Sequence, residues 1–114
     1  MKQKICLFLY IALLAVKILA QNIAVPELHA RVTDLTSTLT AEQTQTLTNT
    51  IIQFEQQNPQ NAQLAILILP TTGGNTIEQY ATKVFNQWKL GSKEHNNGVL
   101  ILVAKNDRKV RIEV

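Results

Sequence analysis

Two short stretches are apolar without a break, and the rest of the chain arranges itself around them. Gln63–Leu69 reads QLAILIL and Val99–Ala104 reads VLILVA. Each is too short for a helix and lacks alternation, the pattern of a strand buried on both faces. Pro70 stops the first run, and Lys105-Asn106-Asp107-Arg108 follows the second with turn chemistry. Lys109–Val114 then alternates strictly, with Val110, Ile112 and Val114 on one side and charges on the other. That alternation predicts a half-solvated strand pairing back on the run before it.

Two helices fit the gaps. Thr40-Ala41-Glu42-Gln43 has the capping-box spacing, and Leu47, Ile51 and Phe54 form a narrow apolar stripe behind it until Asn58-Pro59. Thr76-Ile77-Glu78-Gln79 repeats the box, and Ile77, Tyr80, Ala81, Val84, Phe85 and Trp88 form a broader face, with Gly91 as the expected stop. Residues 21–40 read as mostly extended or irregular, with Val32, Leu35 and Leu39 as core anchors. A strand, a helix and a strand make a parallel crossover, and the last strand returns antiparallel. The expected class is therefore α/β: a mixed sheet with helices packed on its faces, an α/β/α sandwich. The alternating final strand has no cover in sight, so the chain is expected to be a fragment of a longer domain.

Charge changes this picture only at one end. The formal net charge is +3, but Lys2, Lys4 and Lys17 lie in the first twenty residues and the remainder is balanced. A balanced domain has no electrostatic footprint for nucleic acid, and a lipid-surface role is disfavoured on the same ground. The first twenty residues have the parts of a secretory signal peptide: Lys2 and Lys4, an apolar Ile5–Val16, then small Ala20 before Gln21-Asn22. Residues 1–20 are read as that leader, an uncleaved anchor being the alternative, and 21–114 as the domain. The single cysteine, Cys6, falls inside the leader, so the exported domain has no disulfide, thiolate nucleophile or zinc-thiolate site.

The residues now carry a family resemblance. Val32-x-Asp34 with Leu39, Ala41-Glu42, Trp88 and Gly91, then Asn97–Ala104, Asp107-Arg108 and Val110–Val114 resemble the TPM domain family over nearly all of residues 26–114. The family occurs in bacterial envelope proteins and in a thylakoid-lumen repair protein of plants. The resemblance implies an exported, periplasmic or envelope α/β/α sandwich with a divalent-cation site. It also implies an acid phosphatase activity proposed for some members, and a role in assembly or maintenance of membrane proteins. A further membrane anchor beyond residue 114 is implied too.

Asp34 is either a ligand for Ca²⁺ or Mg²⁺, which prefer oxygen donors, or a local cap. Asn96 and Asn97 either join it in an oxygen cage or form a plain Asn-Gly turn. Family members often carry Asp where this chain has Asn96, which removes one anionic ligand and weakens the metal site. Gly73-Gly74, at the carboxyl end of the first central strand, offers backbone amides to a phosphate but lacks phosphate-loop spacing, and a flexible loop is the simpler reading. His29 and His95 are expected at the surface, Tyr80, Phe85 and Trp88 in the core. With the resemblance, the leading reading is a non-catalytic or feebly catalytic envelope domain that binds a membrane-protein or envelope partner. The alternative is a metal-assisted phosphomonoesterase, which needs more carboxylates than Asp34.

Overall fold

The computed structural model describes residues 23–93 and 96–114. The leader expected over residues 1–20 and the expected surface position of His95 lie outside the described residues. The elements run β1 (Val32–Asp34), α1 (Ala41–Gln57), β2 (Gln63–Leu69), α2 (Ile77–Trp88), β3 (Gly98–Ala104) and β4 (Lys109–Glu113). They form one four-stranded sheet in the order β1-β2-β3-β4. β1, β2 and β3 are parallel and β4 is antiparallel to β3. The two uninterrupted apolar runs lie side by side along their whole length, from Gln63 beside Gly98 to Leu69 beside Ala104.

Both capping boxes are formed. Thr40 accepts from Gln43 N and Thr76 from Gln79 N, while each glutamine reaches back to the cap amide. These bonds satisfy orphan donors at the helix starts, so the sequence signal marked both entrances correctly. The main core lies on one face of the sheet. Leu67, Leu69, Leu100 and Leu102 pack there against Tyr80, Ala81, Val84 and Trp88 of α2. Ile23, Val25 and Leu28 close its edge, held by Tyr80 Oη donating to Ala24 O (2.9 Å) and Trp88 Nε1 donating to Pro26 O (2.8 Å). Buried aromatics with a polar tip need such acceptors. On the opposite face α1 covers β1 and β2; Ile51, Val32 and Ile68 are buried outside the main cluster.

Three expectations are corrected. Residues 21–40 contain a strand, β1, whose three residues are too few to show periodicity. Leu35 is 53% exposed although its N–H still donates to Ile68 O, and Phe54 is 44% exposed, because α1 reaches only β1 and β2. α2 ends at Trp88 with Lys89 in the left-handed region (φ 53°), two residues before Gly91. Gly91 serves a different purpose: a Cβ there would lie 2.3 Å from Gly98 N, so the two glycines let the chain pass against itself.

β4 turns its charged side, not its apolar side, toward the face that α2 covers. Arg111 pairs with Leu102 and Glu113 with Leu100, so the charged side chains lie on the face that α2 covers. They are half-buried there and paired with each other at 3.2 Å. Val110 and Ile112, level with Val103 and Ile101, face the other way, where α1 does not reach, and are 63% and 59% exposed. Alternation defined two faces; which one is inward follows from register. Among the described residues, no helix is long and apolar enough to cross a membrane.

Candidate functional site

Loops following β1, β2 and β3 gather at the carboxyl ends of the parallel strands, where open sheets tend to bind ligands. Asp34 is the last residue of β1. Its Oδ1 accepts from Thr36 N (3.0 Å) and Thr36 Oγ1 (2.7 Å), and its Oδ2 from Leu39 N (2.8 Å). Thr36 Oγ1 and Thr38 Oγ1 are 2.5 Å apart, which extends the carboxylate into a run of hard oxygens. Burial works to raise the Asp34 pKa, but the donors from Leu39 and Thr36 outweigh it and hold the carboxyl below its ordinary value. The cap reading of Asp34 is thus a fact of geometry, and it leaves an ionised oxygen cluster at the surface.

Asp107, read from sequence only as part of a turn, is the second carboxylate of this edge. Thr71 Oγ1 donates to both its oxygens (3.0 and 2.9 Å) and Thr72 N donates to Oδ2 at 3.1 Å. The Thr72 amide, then the Thr71 hydroxyl, holds its pKa below the ordinary range against a small effect of burial, and Lys109 adds to the depression. The bond ties the β3–β4 turn to the loop after β2. That loop is further organised by Gly73 N on Thr71 Oγ1 and Thr72 Oγ1 on Asn75 O. Gly73-Gly74 is therefore part of a bonded loop carrying α2's cap. One signal could have found Asp107: two parallel neighbouring strands of equal length place their following loops together.

Asn96 and Asn97 do not join Asp34. Asp34 is level with Ile68, and Ile68 with Val103, whereas Asn97 precedes Gly98 at the opposite end of β3. The offset along the strands is about 20 Å at roughly 3.3 Å per residue. Asn96 turns the chain with φ 48°. Asn97 Oδ1 accepts from Ser92 N (2.8 Å), its Nδ2 donates to Gln60 O, and its carbonyl accepts from Gln63 N. Both asparagines build a turn, and the three-residue cage does not fit one ion. Asp34 and Asp107 share an edge, Asp34 at the end of β1 and Asp107 bonded to the loop that follows β2. Among the described residues, no three His, Cys, Asp or Glu side chains gather in a metal-holding group. His29 is exposed and 3.2 Å from Glu27.

Comparison with known proteins adds to this geometry. A TPM phosphatase family model, described as TPM domain, matches residues 32–114. The chain is similar to the solution NMR structure of the N-terminal domain of a protein from P. gingivalis. The TM-score is 0.62 and the identity 27%, covering 73% of this chain and 52% of that one. The match thus spans about half of the P. gingivalis chain. No curated protein matches. With most of the chain, from β1 to the end of β4, inside the matched region, this protein belongs to the TPM domain family.

Proposed function

We propose that this chain is an exported, cell-envelope TPM-type domain that works by binding, in assembly or maintenance of membrane proteins. Its partner in this reading is an envelope protein, and the leader directs export. The observation that carries binding over turnover is the state of the two carboxylates. Asp34 holds a depressed pKa through donors from its own loop, and Asp107 through donors from the loop after β2. Such groups stay ionised at neutral pH and are poor proton donors, whereas a general acid needs its pKa raised toward the working pH. They suit an electrostatic or ligand role. The Asp34, Thr36 and Thr38 oxygens are hard donors of the kind Ca²⁺ and Mg²⁺ take, and a single carboxylate makes such a site weak.

The second reading, a metal-assisted acid phosphatase, is favoured by the phosphatase label of the matching family model. Two measurements separate the readings. Thermal unfolding across a Ca²⁺ and Mg²⁺ series is expected to show a midpoint that rises only at high cation concentration and is flat in Asp34→Asn. A flat wild-type curve removes the cation from the proposal. Hydrolysis of an aryl phosphate is expected to be the same for wild type, Asp34→Ala and buffer. Metal-dependent turnover abolished by Asp34→Ala would establish the enzyme and reject the binding reading.

A further inference from the structure

β2 starts before its pairing with β1 does. The β1 register begins at Val32 beside Ile66, whose N–H donates to Arg31 O at 2.8 Å. Gln63, Leu64 and Ala65 are paired with β3 on their other side. Amides alternate between the two sides of a strand: Gln63 N donates toward β3, to Asn97 O at 3.0 Å, so Leu64 N points the other way. No β1 residue pairs with Leu64. Glu55 of α1 occupies that place, its Oε1 3.4 Å from Leu64 N and its Oε2 2.9 Å from Arg31 Nε. A cleft of about 610 Å³ opens beside this carboxylate, walled by Leu28, Ile52 and Leu64, with Gln56 and Asn61 among its polar lining.

The arrangement has three parts that belong together. A backbone amide at a strand edge and a guanidinium N–H converge on one carboxylate; the amide belongs to the start of β2 that β1 leaves unpaired; and apolar side chains stand on either side. Arg31 is 44% exposed and Glu55 16%, so the cation is open to solvent while the carboxylate is tucked against the strand. The Leu64 bond is long for an N–H donor. A carboxylate in this position mimics the end of an added strand. Main-chain pairing at a sheet edge and capture of a terminal carboxylate are both recurring modes of peptide recognition.

We propose that this cleft binds the C-terminus of an extended peptide, which pairs with the start of β2 and places its α-carboxylate on Leu64 N–H and Arg31, where Glu55 now sits. Glu55 is the internal competitor that a ligand displaces. The site lies at the opposite end of the sheet from Asp34 and Asp107, so it stands or falls independently of the cation and phosphatase readings. Its volume is within the range of sites for small ligands, and it takes only the last few residues of a chain.

The test is an NMR titration of the ¹⁵N-labelled protein with three probes: the tetrapeptide Ala-Ala-Val-Val as free acid, the same peptide C-terminally amidated, and sodium acetate. The free acid is expected to shift the Leu64 N–H and Arg31 Nε–H signals saturably, and the amidated peptide to bind at least tenfold more weakly. Acetate is expected not to saturate over the same range. Glu55→Gln gives up the competing charge and is expected to bind the free acid several-fold tighter, while Arg31→Met loses it. A silent Leu64 signal, equal affinity for the amide, or acetate matching the peptide each overturns the proposal. Unchanged affinity in a Glu55→Gln protein with native amide dispersion also overturns it, and if either variant fails to fold the wild-type titration decides alone.

Discussion

Asp107 shows how much one side chain does at the carboxyl edge. Its bonds to Thr71 and Thr72 join two loops that are 35 residues apart in sequence. Asp34 does the local equivalent for the loop into α1. Both folded-state pKa values are depressed, so each group contributes stability that is present above its unfolded value, near 3.8, and is lost as the pH falls through the folded one. Equilibrium unfolding followed below about pH 5 should therefore show an acid-side decline. Asp107→Asn and Asp34→Asn should each flatten it, whereas a decline of unchanged steepness in both would place the acid sensitivity elsewhere. Gly98 is a second single-residue test. A Cβ there would lie 2.5 Å from Leu90 O, and backbone does not yield as a side-chain tip does. Gly98→Ala is expected to cost about 1–3 kcal/mol, read from denaturant midpoints at constant slope.

The two helices share a start signal and differ in anchoring. α2 buries Ile77, Tyr80, Ala81, Val84 and Trp88, whereas Ile51 is the buried residue of α1. Removing each cap hydroxyl, by Thr40→Ala and Thr76→Ala, should cost about 1 kcal/mol in global stability. The consequences should separate in hydrogen exchange. α1, with little burial to hold it, should lose protection through local opening in Thr40→Ala, while α2 should exchange only through global unfolding in either protein. Uniform exchange in both helices would contradict this division. The legibility of the helices follows the same physics: caps and stripes are local signals, so both starts were read from Thr40 and Thr76. β1 was not readable, because three residues become a strand only through the edge that Ile66–Ile68 offers them.

At the scale of the molecule, stability rests on one side of the sheet. Leu67 and Leu102 are fully enclosed, and Leu67→Ala is expected to cost about 2–5 kcal/mol. Ile112→Ser, on the outward face, should stay within about 0.5 kcal/mol. Chemical denaturation of the two variants checks the contrast; a large loss from Ile112→Ser would mean that the face is covered in solution. The candidate site divides in the same way. Asp34 was legible as a carboxylate worth testing, because its residue type and flanking pattern are local. Its separation from Asn96 and Asn97, its shared edge with Asp107, and the Arg31–Glu55 pair at the far end all depend on strand register, which no window of sequence contains.

Capping boxes, the two unbroken apolar runs and the alternation of Lys109–Val114 were enough to establish an α/β chain, both helices and three of the four strands, because burial and capping act over a few neighbouring residues. Alternation in Lys109–Val114 established that β4 has two unlike faces. Which face points inward was decided only when Arg111 came level with Leu102 beneath α2. Register and helix placement couple residues far apart in the chain, and those couplings exist only once the sheet is assembled.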